Sequence, residues 1–544
     1  RRVRWKNETS FLSFIPASMG RRGLNKISSA GSLKGLTTPS SSRAVEVKPY
    51  TAGGLRTDRE LVTPSSWNAE FGGDAKVTVN ESLSVDLTYN TDFAQVEDDL
   101  QQVNLSRFSV VFPERREFFL EGQGLFTLGT RSRDARGGGG AGVFIRPQAP
   151  ILFFSRRIGL GEDGIVPITA GARATGKAPG WNVGALQMQT GEDVGSGAEH
   201  ADFSVLRVKR DFLKRSTLGA IVTRRADANS SPTNFVYGGD VNLALGSTVQ
   251  VTGIGAKSDN GLASSGDLFY QGTLEWNADR YGLLADHVRV EENFEPGIGF
   301  VPRPNIDRNR IIARFSPRPQ RESLRRVRQF RWIFSFDHIA TASTGAFESR
   351  EVQAELETEF QSGDFLTFQI KKSRETVAEE FEVGGGALTV PTGSYSFGDF
   401  ETRYFMGPQR KVSGIFVFAR SGFYGGTRSA LAYNRGRIEL SPRVSVEPQI
   451  QFNRLDTPFG KVTTKLVRGR INLTLSPRMV LSALSQYNST SNTLTNNVRF
   501  RWEYQPGSDL FVVYGDGRDT LSSSGFPALS TRTLIVKFTR LVRF

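Results

Sequence analysis

Hydrophobic and polar residues alternate at every second position along most of the chain. Between residues 443 and 453 the even-numbered positions are apolar or proline, whereas the odd-numbered positions are polar. The same period of two runs through residues 268–277, 366–371, 470–475 and 498–504. In a β-strand, residues two apart lie on the same face, so one face is apolar and the other polar. The pattern predicts an all-β protein, and no segment shows a comparably strong helical period.

The alternating segments recur from about residue 142 to the end, separated by short polar turns such as 455–457 and 505–508. Two further segments cover 46–56 and 74–90. Membrane strands of roughly 9 to 11 residues, with short turns at one end and longer loops at the other, give this spacing. We therefore expect about 24 strands, within a range of about 22 to 26, because single-chain bacterial barrels have even strand numbers.

A soluble β-sandwich or β-propeller would show the same alternation, so the character of the two faces has to separate the classes. Residues 435–440 alternate small or apolar side chains with charged ones, and aromatic residues cluster near strand ends, as at 397–405. Aromatic girdles at the two membrane interfaces produce such clustering. The pattern favours a large antiparallel transmembrane β-barrel over a soluble β fold.

The last strand gives a further indication of this class. Its apolar residues share one face, and the final residue is aromatic: Leu534, Val536, Phe538, Val542 and Phe544. This ending resembles the terminal strand signal of bacterial outer-membrane proteins, although Arg540 interrupts the row. Phe538, Val542 and Phe544 are the predicted C-terminal barrel signal.

Composition excludes several kinds of site. The 544 residues include no cysteine, which rules out disulfides, cysteine-built zinc sites and thiol nucleophiles. The three histidines are too widely separated in the sequence to form a local metal-binding motif. The longest uncharged stretch, 479–498, is too polar to cross a membrane as a helix. The net charge of +14 comes mainly from 54 arginines, which either attract anions or simply line a large polar lumen. Because the charges are spread at period two, we expect no nucleic-acid partner.

Several segments depart from the alternating pattern. Residues 1–45 are rich in Ser, Gly and Arg and predict an extended lead-in from a missing upstream domain, with the barrel over 46–544. Residues 91–141 combine acidic, aromatic and glycine-rich runs, which predicts an insertion that partly fills the lumen or one mouth. Residues 291–308 form a second irregular piece, and 377–396 are interpreted as an exposed loop.

Residues 92–97, 104–108 and 113–122 together resemble a bacterial family of unknown function, and the blocks 154–159 and 293–303 fit the same family. Its members typically carry an N-terminal carbohydrate-binding family 9-like β-sandwich followed by a large outer-membrane barrel. The resemblance implies a Gram-negative outer-membrane location and an upstream sandwich domain. It implies no reaction.

The matching positions are candidates for the family motif and for ion pairs in the lumen. They are Asp92, Phe93, Gln95, Glu97, Asp99, Asn104, Arg107, Glu114, Arg115, Arg116, Phe118, Phe119, Glu121, Arg156, Arg157 and Arg303. One departure is Thr91, where the family usually has a proline. Arginine clamps carboxylates through paired hydrogen bonds where water is limited, so a structural ion-pair network is the preferred interpretation.

Two other interpretations of the acidic residues remain open. The cluster of Asp92 and 97–99 offers hard oxygen ligands for calcium, although its spacing does not match an EF-hand loop. Glu114, Glu117 and Glu121 offer paired carboxylates for acid–base catalysis, although arginines stand between them. We expect no catalytic, cofactor or metal site.

Three functions follow as hypotheses. The first is a pore, transport or assembly component of the outer membrane, in glycan or peptide handling. The second is a sealed barrel that anchors surface or periplasmic partners. The third, an outer-membrane hydrolase, has no serine-elbow or phosphate-loop motif to support it. The expected partners are outer-membrane lipid, the barrel-assembly machinery during biogenesis, periplasmic or surface proteins, and glycan.

Overall fold

The fold is a closed antiparallel barrel of 24 strands. The computed structural model describes residues 2–3, 8–9, 34–35, 44–59, 65–91, 99–109, 111–128, 149–160, 165–193, 197–213, 215–228, 232–261, 265–521 and 527–544. The predicted all-β class and the strand number of about 24 are confirmed. The interpretation of residues 1–45 as a lead-in falls almost wholly outside the described residues.

The barrel strands follow one another around the wall in chain order. They are β1 (Ala44–Asp58), β2 (Ser65–Asn80), β3 (Leu83–Tyr89), β4 (Ile168–Ala178), β5 (Trp181–Thr190), β6 (Ala201–Phe212), β7 (Ser216–Asp227), β8 (Asn234–Leu245), β9 (Val249–Asp259), β10 (Leu268–Asn277), β11 (Tyr281–Val290), β12 (Ile306–Phe315), β13 (Val327–Thr341), β14 (Phe347–Phe360), β15 (Phe365–Val377), β16 (Gly393–Met406), β17 (Val412–Phe423), β18 (Gly426–Ser441), β19 (Val444–Thr457), β20 (Gly460–Ser476), β21 (Met479–Asn488), β22 (Thr493–Gln505), β23 (Ser508–Asp519) and β24 (Ala528–Thr539).

The remaining elements are short. Helices α1 (Glu117–Leu120) and α2 (Gln123–Phe126) and the 3-10 turns Ser155–Arg157 and Glu322–Leu324 lie between strands. Two small hairpins pair Arg2–Val3 with Glu8–Thr9 and Phe381–Val383 with Leu388–Val390. None of the helices in the described ranges has both the length and the hydropathy that a membrane span requires.

The barrel closes where β24 pairs with β1. After Thr539 the strand breaks at residues 540–541, and Val542 and Arg543 then resume pairing with Val47 and Glu46. The N–H of Phe544 donates to the carbonyl oxygen of Val45 at 2.9 Å. The interruption at Arg540 in the sequence pattern is thus a break in the strand, and the predicted C-terminal residues continue the closing seam.

The predicted single strand over 74–90 is wrong, because a two-residue turn at Glu81 and Ser82 divides that stretch between β2 and β3. The side-chain oxygen of Asn80 accepts the N–H of Ser82 at 2.8 Å, which stabilises the turn locally. Polar residues at a turn keep the period of two almost unbroken, so alternation alone did not reveal the reversal.

The two mouths of the barrel differ. At one end, called the short-turn mouth, strands are joined by tight connections such as 81–82, 179–180 and 442–443, and the closing seam ends there. At the other end, called the long-loop mouth, lie the longer connections, including 90–167 and 291–305. This asymmetry is the one seen in bacterial outer-membrane barrels.

Large apolar side chains point outward along the barrel wall. They include Trp332, Phe334, Phe336, Phe368, Ile370, Phe416, Phe418, Leu431, Leu534, Val536 and Phe538, all of them substantially exposed. So continuous an exposed apolar belt is unfavourable in water but matches the hydrocarbon core of a bilayer. The chain is therefore a transmembrane barrel, and its location is the bacterial outer membrane.

The interpretation of residues 377–396 as an exposed loop is right for most of this connection between β15 and β16, where residues 378–380, 385–387 and 392–394 are exposed, but it is wrong for the apolar residues of a short hairpin. The hairpin that pairs Phe381–Val383 with Leu388–Val390, here called the mouth hairpin, buries Val383, Leu388 and Val390. They pack in one apolar cluster with Leu455 and Phe423. The glycines in the sequence indicated a loop. The apolar residues that alternate beside them pack against the ends of β17 and β19 at the long-loop mouth.

Candidate functional site

The lumen is occupied by part of the connection between β3 and β4. Residues 99–109, 111–128 and 149–160 of this connection are here called the plug. Asp99, Asn104, Arg107, Glu114, Arg115, Arg116, Phe118, Phe119, Glu121, Arg156 and Arg157 all belong to it. Asp92, Phe93, Gln95 and Glu97 lie outside the described residues.

The centre of the plug is a buried ion pair between Glu114 and Arg116. The Arg116 guanidinium donates to the Glu114 carboxylate from Nε at 2.8 Å and from Nη2 at 2.6 Å. The Ser155 hydroxyl donates to the same carboxylate at 2.6 Å, and Arg116 donates to the carbonyl oxygens of Ser155 and Ile158. The guanidinium also lies 4.2 Å from the centre of the Phe119 ring. These contacts join two described pieces of the plug.

Arginine sets the charge state of this carboxylate. Burial alone would raise the pKa of Glu114, but the hydrogen bonds and charge of Arg116 and the bond from Ser155 outweigh it, so the pKa lies below the usual value. The pKa of Glu121 is likewise lowered, chiefly by the hydrogen bond from Lys76. A general acid in glycoside hydrolysis needs a raised pKa. These carboxylates are therefore built as ion-pair partners.

One side of the plug is fixed to the wall formed by β1 to β4. Arg173 pairs with Asp86 at 2.8 Å and donates to the carbonyl oxygens of Phe118 and Glu121. Lys76 pairs with Glu121. Lys48 pairs with Glu117 at 3.1 Å. Cations on the wall thus bind the α1 region of the plug through both carboxylates and backbone.

A second side of the plug meets β21 and β22. The Gln101 N–H donates to the side-chain oxygen of Gln486 at 3.1 Å, and the Gln101 amide contacts the hydroxyls of Thr493 and Thr495. The Gln486 amide donates back to the carbonyl oxygen of Asp99 at 3.3 Å. The plug is therefore attached to the wall on both sides of the seam between β24 and β1.

A third attachment joins the plug to β14 and β15. Arg107 pairs with Glu348 at 2.9 Å and with Glu375 at 3.2 Å. Arg303, from the connection between β11 and β12, also pairs with Glu348. The two guanidinium groups lie 4.8 Å and 4.5 Å from the centre of the Phe108 ring. Two arginines, two carboxylates and one aromatic ring thus form a compact attachment at the long-loop mouth.

Asp99 holds a smaller cluster inside the plug. It pairs with Arg156, and Arg115 Nε lies 3.6 Å from the same carboxylate. Arg157 donates to the carbonyl oxygen of Gly299 at 3.2 Å, and Asn104 donates to that of Phe108 at 2.8 Å. Across the described residues, no group of three or more His, Cys, Asp or Glu is placed to hold a metal ion.

The contacts of the plug are apolar on one side and polar on the other. Phe119 and Phe126 belong to a buried cluster with inward-facing residues of β5 to β11: Leu186, Met188, Phe203, Val205, Ile221, Val236, Phe269, Val288 and Val290. Toward β14, β15, β21 and β22, the contacts described above are hydrogen bonds and ion pairs. The plug is therefore packed like a protein core against β5 to β11 and held by polar bonds against β1 to β4 and against β14, β15, β21 and β22.

Alternating charges line the lumen between β12 and β16. Arg308 and Arg310 face Asp337, and Arg331 pairs with Glu357 and Glu359. On the following strands the pairs are Lys371 with Glu351 and Asp399, and Arg403 with Glu355 and Glu401. Their carboxylates and guanidinium groups form a polar wall beside the polar side of the plug.

The wall residues that hold the plug were missed in the sequence. Lys76, Asp86, Arg173, Glu348 and Glu375 all lie in strands, where they follow the same alternation as any polar residue of a barrel wall. Their parity indicated that they face the lumen, but the partner of each is 45 or more residues away in the chain or on a distant strand. No local signal distinguishes these anchors from ordinary lining residues.

One family model matches part of the chain. A family model described as a domain of unknown function, DUF5916, matches residues 44–131, a range that contains β1 to β3 and much of the plug. No curated protein matches the sequence.

Several solved structures of bacterial proteins match most of the chain at low identity. OpdQ of Pseudomonas aeruginosa is 8% identical, with 92% of this chain and 98% of that chain covered and a TM-score of 0.27. OccAB2 of Acinetobacter baumannii is 11% identical, with 92% and 98% covered and a TM-score of 0.30. The siderophore receptor PirA of A. baumannii is 6% identical, with 93% and 81% covered and a TM-score of 0.43. At these values the likeness concerns the fold alone.

Proposed function

We propose that this protein is an outer-membrane transport barrel whose lumen is blocked at rest by the plug. The observation that carries the proposal is the attachment of the plug to two opposite parts of the wall, at Arg173 on β4 and at Glu348 and Glu375 on β14 and β15. A barrel that served only as an open pore would have no need of such a segment across its lumen. A segment held by polar bonds can instead be released when a solute or partner competes for them.

The uneven attachment supports a particular way of opening. The apolar packing against β5 to β11 excludes water and acts as the fixed side, because separating it would expose a large apolar surface. The polar side, with Arg107 on Glu348 and Glu375, exchanges its bonds for water or solute at small net cost. Opening on that side would create a passage along the charged wall of β12 to β16.

The lining supports a polar, charged solute. Guanidinium and carboxylate groups alternate along the wall, and such rings attract and orient ions at close range. Peptides carry both charges, and acidic glycans carry carboxylates that arginine binds well. We therefore propose peptides or charged glycans as the solute class.

Single-channel conductance in a planar lipid bilayer tests the proposal. We expect the wild-type chain to be almost silent, with rare openings. The double variant Glu348→Gln/Glu375→Gln removes both carboxylates that hold Arg107 and Arg303, so it should open frequently. Because arginine dominates the positive charge, the open state should prefer anions when salt gradients are applied.

Glu322→Gln is the matched control, since Glu322 pairs with Arg325 on the exposed surface between β12 and β13. It should behave like the wild type. If both the wild type and the double variant stay silent although they fold, the barrel is a sealed anchor for surface or periplasmic partners, the second candidate function. The apolar packing of Phe119 and Phe126 is the feature that favours that alternative.

A further inference from the structure

A group of cations lies on the outer wall, just beyond the apolar belt at the long-loop mouth. It consists of Arg350 on β14, Lys372 and Arg374 on β15, Arg420 on β17, Arg454 on β19 and Lys465 on β20. The named basic residues Arg350, Lys372, Arg374, Arg420, Arg454 and Lys465, here called the outer cation row, are all exposed.

Strand parity shows that the outer cation row faces away from the lumen. Arg350 lies two residues from exposed Val352, and Lys372 lies two residues from exposed Ile370. Between them in each strand, Glu351 and Lys371 point into the lumen, where they form an ion pair. The same relation holds on β17, β19 and β20, where each cation follows an exposed apolar residue toward the long-loop mouth.

Within the described residues, no carboxylate forms an ion pair with the outer cation row, and Asp456, which shares the outward face of β19 with Arg454, pairs with Lys461 instead. Arg350 and Arg374 are direct cross-strand partners, an arrangement of like charges that is unfavourable unless an anion binds. The contacts described for these side chains are to a ring and a hydroxyl: Arg374 lies 5.5 Å from the Phe347 ring centre, and Arg420 donates to Ser429 at 2.8 Å. On this side of the belt, the outward positions of β15 to β18 carry no acidic residue.

Other outward cations of the barrel do have carboxylate partners. Lys257 lies 3.5 Å from Asp267, Arg289 lies 3.2 Å from Asp307, and Lys461 lies 3.0 Å from Asp456. Pairing is therefore available at this level of the wall, and the outer cation row lacks it, most closely on the adjacent strands β14 and β15. An external anion is the missing partner.

An apolar groove leads up to these cations. It has a volume of about 480 Å³ and is lined on the outer wall by Ile311, Phe334, Phe336, Val352 and Ile370, with Lys372 at its edge. A groove of this kind in a membrane-facing wall suits a hydrocarbon chain. Cations at one end of it suit the head group attached to that chain.

We propose that the outer cation row and the groove form a binding site for a phosphate-bearing lipid of the outer leaflet. Barrels of this class place their longer loops at the cell exterior, which sets the row at the level of the outer-leaflet head groups. The lipid phosphates lie between the strands that carry Arg350, Lys372 and Arg374. An acyl chain lies along the groove between β12 and β15.

Native mass spectrometry of the purified full chain, titrated with bis-phosphorylated lipid A in detergent, tests the site. The variant Arg350→Gln/Lys372→Gln/Arg374→Gln should bind on the order of 100-fold more weakly, at roughly fivefold for each lost charge. The control Lys257→Gln/Arg289→Gln/Lys461→Gln removes three outward cations that have carboxylate partners. It should retain most of the wild-type affinity.

Two further probes separate the source of the phosphate. Lipid A without phosphates should bind weakly to every variant, and inorganic phosphate should fail to displace bound lipid A. Equal binding by the wild type and the first variant, provided that both migrate as folded barrels on unheated gels, would overturn the proposal. An equal loss in the control variant, or displacement by inorganic phosphate alone, would also overturn it.

Discussion

At the scale of single residues, the Glu114–Arg116 pair is the most demanding feature of the plug. Its side chains are 1% and 2% exposed, so neither charge reaches solvent. Removal of one member of a buried pair leaves the other charge unpaired, and this typically costs about 3 to 5 kcal/mol. The plug should therefore depend far more on this pair than on the many exposed pairs.

Glu114→Gln is expected to raise the undocked population of the plug by a factor of about 150 to 5,000, which corresponds to that cost. Hydrogen exchange of the amides in residues 111–128, followed by mass spectrometry, measures this population. Glu322→Gln, at an exposed pair, should change stability by less than about 1 kcal/mol. Unchanged exchange in the Glu114 variant would show that the pair does not hold the plug.

Asp364, in the turn after β14, gives a prediction about pH. Burial by itself would raise its pKa, but the hydrogen bonds from Arg410, the Gly407 N–H, Ser362 and Tyr404 lower the pKa from 3.8 to about 2. A carboxylate whose pKa is lowered on folding stabilises the fold at every pH above its ordinary pKa. This stabilisation is lost as the pH falls through the lowered pKa of the folded protein. The contribution should thus be complete above about pH 4 and lost toward about pH 2.

Unfolding of the wild type and of Asp364→Asn by urea in lipid vesicles, repeated across pH, checks this sign. The wild type should be the more stable of the two near neutral pH, and the difference should shrink as the pH falls from about 4 to 2. A difference that stays constant over that window would mean that the ionised carboxylate contributes nothing.

At the scale of elements, the mouth hairpin shows how a glycine-rich segment becomes fixed. Gly385 adopts a left-handed φ of 73°, and a Cβ there would collide with the carbonyl oxygen of Thr490 in the loop after β21. Gly345 has a similar φ of 71° but open space around it. Substitution at Gly345 therefore measures the free-energy cost of backbone strain alone, whereas substitution at Gly385 adds the cost of a lost contact with Thr490.

We expect Gly345→Ala to cost only the strain of the left-handed conformation, about 1 kcal/mol. Gly385→Ala should in addition displace the mouth hairpin from the end of β21. Hydrogen exchange of residues 381–390 should then rise in Gly385→Ala and stay at the wild-type level in Gly345→Ala. Equal protection in both variants would indicate that the hairpin can shift without losing its packing.

At the scale of the whole molecule, closure of the barrel depends on a short piece of backbone. Val542 and Arg543 pair with β1 beyond the break at 540–541, and Phe544 bonds to Val45. Removal of residues 541–544 would leave the start of β1 as an unpaired edge at the short-turn mouth, and an unpaired edge is unfavourable in a bilayer.

The truncated chain should fold into lipid vesicles more slowly and less completely than the full chain. The fraction that migrates as a compact barrel on unheated gels measures this yield. A matched control is Phe544→Leu, which keeps the backbone pairing and should fold nearly as well. A full yield from the truncated chain would show that the seam between β24 and β1 closes without this segment.

Much of the whole-molecule architecture follows from local patterns. Exposed Ile450 and Phe452 and buried Gln449 and Asn453 lie on the two faces that the alternation of β19 assigns to them. The period of two is a property of the extended backbone, so it transfers directly from the sequence to the wall. Turns such as 81–82 are less visible, because polar turn residues continue the alternation.

The plug was recognised in the sequence only by its failure to alternate. Its dense charges indicated a lumenal position, and residues 114–116 indicated an ion pair. No pattern in the sequence identified Arg173, Glu348 or Gln486 as the wall residues that contact the plug. These contacts join residues that are distant in sequence, and closure of the barrel decides which of the many inward-facing polar residues meet.

The sequence by itself thus determined the β class, the approximate strand number, the membrane-facing parity and the terminal seam, because each depends on backbone periodicity. Only the tertiary structure decided how the plug is attached inside the lumen, that the apolar residues among 381–390 are buried, and that six outward cations lie at one end of the wall without an ion-pair partner among the described residues. These properties depend on register and tilt around a closed barrel, which bring side chains from separate strands to the same level of the wall.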